Sequence, residues 1–72
     1  MIRDRTVASQ VNKLMLEYGA KLDASLLTVK DRCSTEEFDA YRNVVGRILG
    51  EMLEVMNPIY AQHPDLKPRQ LK

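Results

Sequence analysis

Arg32-Cys33-Ser34-Thr35-Glu36-Glu37-Phe38 is the stretch that decides the fold. Ser34-Thr35-Glu36-Glu37 fits the S/T-x-x-E capping box, in which the serine hydroxyl accepts from the Glu37 backbone N–H while the Glu37 carboxylate reaches back to the Ser34 N–H. A helix therefore starts at about Thr35. Glu36, Glu37 and Asp39 put negative charge on its first turn, and Lys30 and Arg32 put positive charge on the last turn of the segment before it. Each sign complements a helix dipole, so the stretch reads as one helix ending and another beginning across a tight turn.

Working back from the turn, apolar residues fall at Val7, Val11, Leu14, Met15, Tyr18, Leu22, Leu26 and Val29, ending at Cys33. Steps of three and four belong to a helix. The intervening polar residues include Gln10, Asn12, Lys13, Glu17, Lys21 and Asp23, with Glu17 and Lys21 spaced as an i,i+4 pair. The spacing predicts helix 1 over about 6–32.

Working forward, Phe38, Tyr41, Val45, Ile48, Met52, Val55 and Ile59 alternate steps of three and four, an a/d heptad pattern. Val44, Leu49, Leu53 and Met56 widen the stripe beyond what a two-stranded seam uses, as in a helix that belongs to a bundle. The pattern predicts helix 2 over about 35–57. Pro58 disfavours helical backbone at Asn57 and lacks an amide donor, so a kink or a short restarted turn is expected at 57–58. His63 and Pro64 end that turn, and 63–72 reads as an extended tail with Leu66 and Leu71 as anchors.

With the turn centred between Cys33 and Ser34, residue i of helix 1 lies level with about 67 minus i of helix 2. Val29 then meets Phe38, Leu26 meets Tyr41, Leu22 meets Val45 and Val11 meets Met56. Gly46-Arg47-Ile48-Leu49-Gly50 is a GxxxG motif, and the same rule sets Gly19 level with its middle. A glycine inside a helix costs about 0.5–1 kcal/mol against alanine, so Gly19, Gly46 and Gly50 predict close helix approach, room for a large side chain of a neighbouring helix, or a small mid-bundle groove.

At 72 residues the chain is one domain whose core alone rarely supplies more than ~3–5 kcal/mol. Disulfides, a structural metal or self-association normally supplement such a core. Cys33 is the sole cysteine and His63 the sole histidine, which satisfies neither a disulfide framework nor a closed zinc site. The expectation is an all-α antiparallel helical hairpin that dimerises into a four-helix bundle. Its shared interface is drawn from Tyr18, Leu22, Phe38, Tyr41 and Val45, continuing through Ile48, Leu49, Met52, Leu53 and Met56. Strictly apolar runs are short, no secretory leader is evident, and the unpaired cysteine points to the cytoplasm.

Catalysis finds little here. His63 has no orienting carboxylate other than Asp65, no Glu-x-x-His spacing occurs, and neither a phosphate loop nor a nucleophile elbow is present. Cys33 reads as a turn residue, and Ser25 as a serine bonded back to a main-chain carbonyl. No catalytic, cofactor or metal residue is assigned, and neither a small-molecule substrate nor a membrane contact is expected. The functional expectation is an interaction or regulatory module, a homodimer with a protein partner still to be identified.

Eleven basic against ten acidic residues give a net charge of +1, which is no nucleic-acid footprint in itself. Its distribution supplies an alternative reading. Arg3, Arg5, Arg42, Arg47, Lys67 and Arg69 would be the contacts of a dimer that binds structured RNA or DNA. A further alternative is an accessory subunit of a larger complex. The ends of the hairpin also differ in sign, with Arg3, Arg5, Lys67, Arg69 and Lys72 at the termini and Glu36, Glu37 and Asp39 at the turn. That contrast favours a dimer with the turns at opposite ends.

Overall fold

The computed structural model describes residues 1–68 and shows a two-helix antiparallel hairpin. Helix α1 spans Arg5–Arg32 and helix α2 spans Thr35–Gln62; a short 3-10 turn, Pro64–Leu66, follows. The expected tail positions 69–72, Leu71 among them, lie outside the described residues. The molecule is a layer of 44 × 21 × 17 Å.

Both helix starts are fixed by side chains. Asp4 accepts from the Val7 N–H at 3.1 Å, which begins α1 one residue ahead of the expected position. At the turn, the Glu37 N–H donates to Ser34 Oγ at 3.2 Å and the Ser34 N–H donates to Glu37 Oε1 at 3.1 Å. The box is complete, and it is exposed.

These bonds hold the Glu37 carboxyl below its ordinary 4.5, the Ser34 backbone N–H being the larger cause and the Ser34 hydroxyl the second. Asp65, facing Arg5, is likewise held below 3.8. A carboxyl with a depressed folded pKa stabilises the fold above its unfolded value, and that contribution disappears as pH falls through the folded one. Thermal stability should therefore fall as pH drops below about 4.5. Ser34→Ala should cost about 1 kcal/mol at neutral pH and flatten the acid slope, measured by circular dichroism melts between neutral and acid pH.

Helix α2 does not stop or restart at Asn57-Pro58; it runs unbroken to Gln62. Proline removes one ladder bond, to the Glu54 carbonyl, but Met56 and Ile59 on either side of it are buried. Their burial keeps the segment helical where local propensity would end it. The ladder closes with the His63 N–H on the Ile59 carbonyl at 2.8 Å.

The row of α1 that faces α2 is Ala8, Asn12, Met15, Gly19, Leu22, Leu26 and Val29, at steps of four and three throughout. Val7, Leu14 and Tyr18, read from sequence as the buried stripe, are exposed. On α2 the facing row is Phe38, Tyr41, Val45, Leu49, Met52, Met56 and Ile59; it passes through Leu49 and Met56 where the heptad reading had Ile48 and Val55. The predicted register holds near the turn and at mid-length. Ser25 meets Tyr41, and a side chain at Gly19 would lie 3.9 Å from Leu49.

Among the described residues the buried apolar side chains are Ala8, Val45, Met56 and Ile59. Three of these four sit at the open end of the hairpin. Asn12 is buried with them, 6% exposed, and its polar atoms are satisfied: Nδ2 donates to the Leu66 carbonyl at 3.3 Å, and Oδ1 accepts from the Tyr60 hydroxyl. The 3-10 turn is thus tied over the end of the core. His63 Nε2 donates to the Ile2 carbonyl at 2.9 Å, and Arg5 pairs with Asp65 outside it.

Candidate functional site

A two-helix layer has two broad faces, and both carry apolar side chains. On α1, the positions i, i+4, i+7 and i+11 from Val7 are Val7, Val11, Leu14 and Tyr18, a second heptad row beside the inner one. On α2 the same rule taken from Val44 gives Val44, Ile48, Glu51 and Val55, with Tyr41 three residues before Val44 at the border with the inner row. Val7, Leu14, Tyr18, Val44 and Ile48 are each between 42% and 50% exposed. Ser25 continues the α1 row seven residues after Tyr18, and its hydroxyl meets that of Tyr41, which borders the α2 row, at 2.6 Å, so the two rows lie on the same side of the layer. Ser25 donates to the Leu22 carbonyl, so the Tyr41 hydroxyl is the donor in that contact.

Leu16 and Leu53 belong to the opposite face. Leu16 is two residues from Tyr18, roughly 200° around α1, and Leu53 is five residues from Ile48, roughly 140° around α2. With Met15, Gly19, Leu49, Met52 and Met56 they line an open apolar groove of about 190 Å³. Gly19 forms part of its floor, and a methyl group there would touch Leu49 and Met52 at 3.9 and 4.0 Å, ordinary contact.

Gly46 and Gly50 do not make the expected close approach within the hairpin. Nothing lies within 4 Å of a side chain built at either, so they are not points of close approach to α1. Their positions fall on the outer side of α2, roughly 100° and more from the row that Val45 and Met52 define.

The interface expected from sequence therefore divides. Val45 and Met56 are consumed by the hairpin's own core, and Leu22, Phe38, Tyr41, Leu49 and Met52 are half-buried in it. Tyr18 and Ile48 stand on one free face and Leu53 on the other. Sequence reasoning missed Asn12 as an inward residue and Val44 as part of a distinct row. The signal for both is present: Asn12 continues the four-three spacing from Ala8, and Val44 lies four residues before Ile48 and eleven before Val55.

The basic residues do not share a face. Arg42 and Arg47 are five apart on α2 and so point roughly 140° from each other. The Arg42 guanidinium lies 5.9 Å from the Phe38 ring centre, Arg5 is paired with Asp65, and Arg3 and Lys67 are at the open end. Arg69 lies outside the described residues. Cys33 is exposed at the turn, and His63 holds the N-terminal segment.

Among the described residues no group of three or more His, Cys, Asp or Glu is arranged to hold a metal ion, and no helix is long and apolar enough to cross a membrane. No protein-family model, curated protein or solved structure matches the chain.

Proposed function

We propose that the chain is a homodimeric helical-bundle module whose work is protein association. The row Val7, Val11, Leu14 and Tyr18 with Tyr41, Val44, Ile48 and Val55 closes a four-helix bundle in this reading. One observation carries it: a second apolar face on which Val7, Leu14, Tyr18, Val44 and Ile48 stay exposed in the lone hairpin.

Surface area supports the same reading. The chain exposes 5616 Å². A compact monomer of its mass would expose roughly 4,600 Å². The excess, on the order of 1,000 Å², is close to the ~800 Å² per partner that a stable interface removes. The radius of gyration, 14.5 Å, exceeds the ~11 Å of a compact domain of this length in the same way.

Such a dimer leaves the groove between Leu16 and Leu53 on its outside, which is where an association module would keep a free apolar surface. A reduced thiol at the turn suits work in the cytoplasm. Static light scattering across micromolar concentrations should report twice the chain mass. A monomer that unfolds sharply on heating would overturn the reading.

A further inference from the structure

We infer that the second copy docks on this face with its turn at the same end, α1 of each chain lying against α2 of the other. The inference rests on the dimer reading above and adds its geometry.

The two helices differ in charge. Five basic and three acidic residues give α1 a net +2, while two basic and five acidic give α2 a net −3. Stacking two hairpin layers face to face about a twofold axis allows two simple alignments. With the axis along the helices, α1 faces the partner's α2 and the turns share an end. With the axis across them, α1 faces α1, α2 faces α2, and the turns are at opposite ends. Only the first alternates the sign of charge around the bundle.

The edges of the apolar face make the same choice residue by residue. Seven-residue spacing continues Val7 and Leu14 into Lys21 along the outer edge of α1, and Val44 into Glu51 along the outer edge of α2. Level positions on the two helices sum to about 67, the register of the Ser25–Tyr41 and Gly19–Leu49 approaches. In the same-end alignment Lys21 lies about five residues, ~7.5 Å, along the axis from the partner copy's Glu51. In the opposite-end alignment with the axis at the helix midpoints, between residues 18 and 19 of α1 and between 48 and 49 of α2, the axial separation is the same, but Lys21 meets a second Lys21 and Glu51 a second Glu51. Equal distance with reversed sign leaves the choice to charge.

The contrast between the whole ends, basic termini against acidic turn, favours the other alignment but is the weaker term. At the turn the opposite charges already lie on different helices, Lys30 and Arg32 on α1 and Glu36 and Glu37 on α2. In the same-end dimer each set faces its complement on the partner. Interactions among exposed charges are small and salt-screened, so they select orientation, and the apolar face supplies the affinity.

Cys33 allows a direct test without any substitution, being the sole cysteine of the 72 residues and exposed at the turn. Nitroxide labels on Cys33, read by pulsed dipolar spectroscopy, should lie roughly 20 Å apart or less in the same-end dimer, given layer spacings of ~10 Å. Separations near the 44 Å long dimension, in a sample that light scattering reports as dimeric, would overturn the alignment and leave the dimer reading intact. A monomer would assign the face to a different protein and overturn both. Lys21→Glu should raise the dimer dissociation constant about two- to five-fold, and adding Glu51→Lys should restore it. An unchanged constant in Lys21→Glu counts against the alignment, because only the opposite-end dimer exchanges one like pair for another.

Discussion

Ile59→Ala is expected to lower the unfolding free energy by about 2–5 kcal/mol, the cost of a large-to-small change at a site that cannot collapse. Ile59 is fully buried, on the α2 turn that covers Ala8 and Asn12. The hairpin has few buried side chains to compensate, and the loss approaches the ~3–5 kcal/mol that a core of this size supplies. A urea titration should show the midpoint moving sharply down, with the slope unchanged as long as the variant folds. Leu53→Ala is the control: 49% exposed on the groove rim, it should cost well under half as much. Equal effects at the two positions would mean that the open end is not the centre of the core.

Ile48→Asp is expected to abolish the dimer. In the lone hairpin Ile48 is 42% exposed, so an aspartate there finds water and costs the fold little directly. In the dimer it becomes an unpaired charge inside the apolar seam, present twice by symmetry, with an effective penalty of several kcal/mol for each ion. The dissociation constant should rise by roughly a thousand-fold or more, from about 1.4 kcal/mol per factor of ten. Because association and folding are linked by mass action, loss of the dimer should also lower the melting temperature. Sedimentation equilibrium reads the first effect and circular dichroism the second. Leu53→Asp, on the opposite face, should leave the dimer in place; if it dissociates the chain and Ile48→Asp does not, the two faces have been assigned the wrong way round.

Sequence alone carried the elements and their register because those depend on local chemistry. Ser34 and Glu37 fix the turn through bonds that need no tertiary context, and the turn then sets which residues are level. Choosing the inward row of α1 was different. Two rows with the same four-three spacing run side by side, and the more apolar one, Val7-Val11-Leu14-Tyr18, is the one left largely exposed. The inner row includes Ala8, Asn12 and Gly19, small or polar residues that lower its hydrophobic signal while allowing α2 to pack against it. A periodicity argument weighs apolar content, whereas packing weighs shape and satisfied polar groups; Asn12 enters the core because Tyr60 and the Leu66 carbonyl meet it there.

Pro58 shows the same limit from the other side. Its local preference is helix-breaking, yet the burial of Met56 and Ile59 outweighs one missing backbone bond. The spacing of the GxxxG glycines suggests contacts within the hairpin only as long as the angular position of each on α2 is left open. Once the inner row is fixed at Val45, Leu49 and Met52, neither Gly46 nor Gly50 can face α1.

The contacts around Asn12 and His63 join residues 48, 54 and 61 positions apart, whereas the exposed capping box joins residues three apart. A chain of this design can bend early and close late. The entropy of bringing distant segments together grows only slowly with the length between them, so late closure delays folding modestly. Interactions formed after the transition state act on the reverse reaction instead, governing how often the closed form opens. Tyr60→Phe should therefore speed unfolding in stopped-flow denaturant jumps while scarcely altering refolding, and comparable changes on both arms would show that the mouth closes early. The hairpin is held shut at its mouth rather than at its bend, which makes the few polar bonds there a setting for its lifetime and leaves the speed of its formation to the turn.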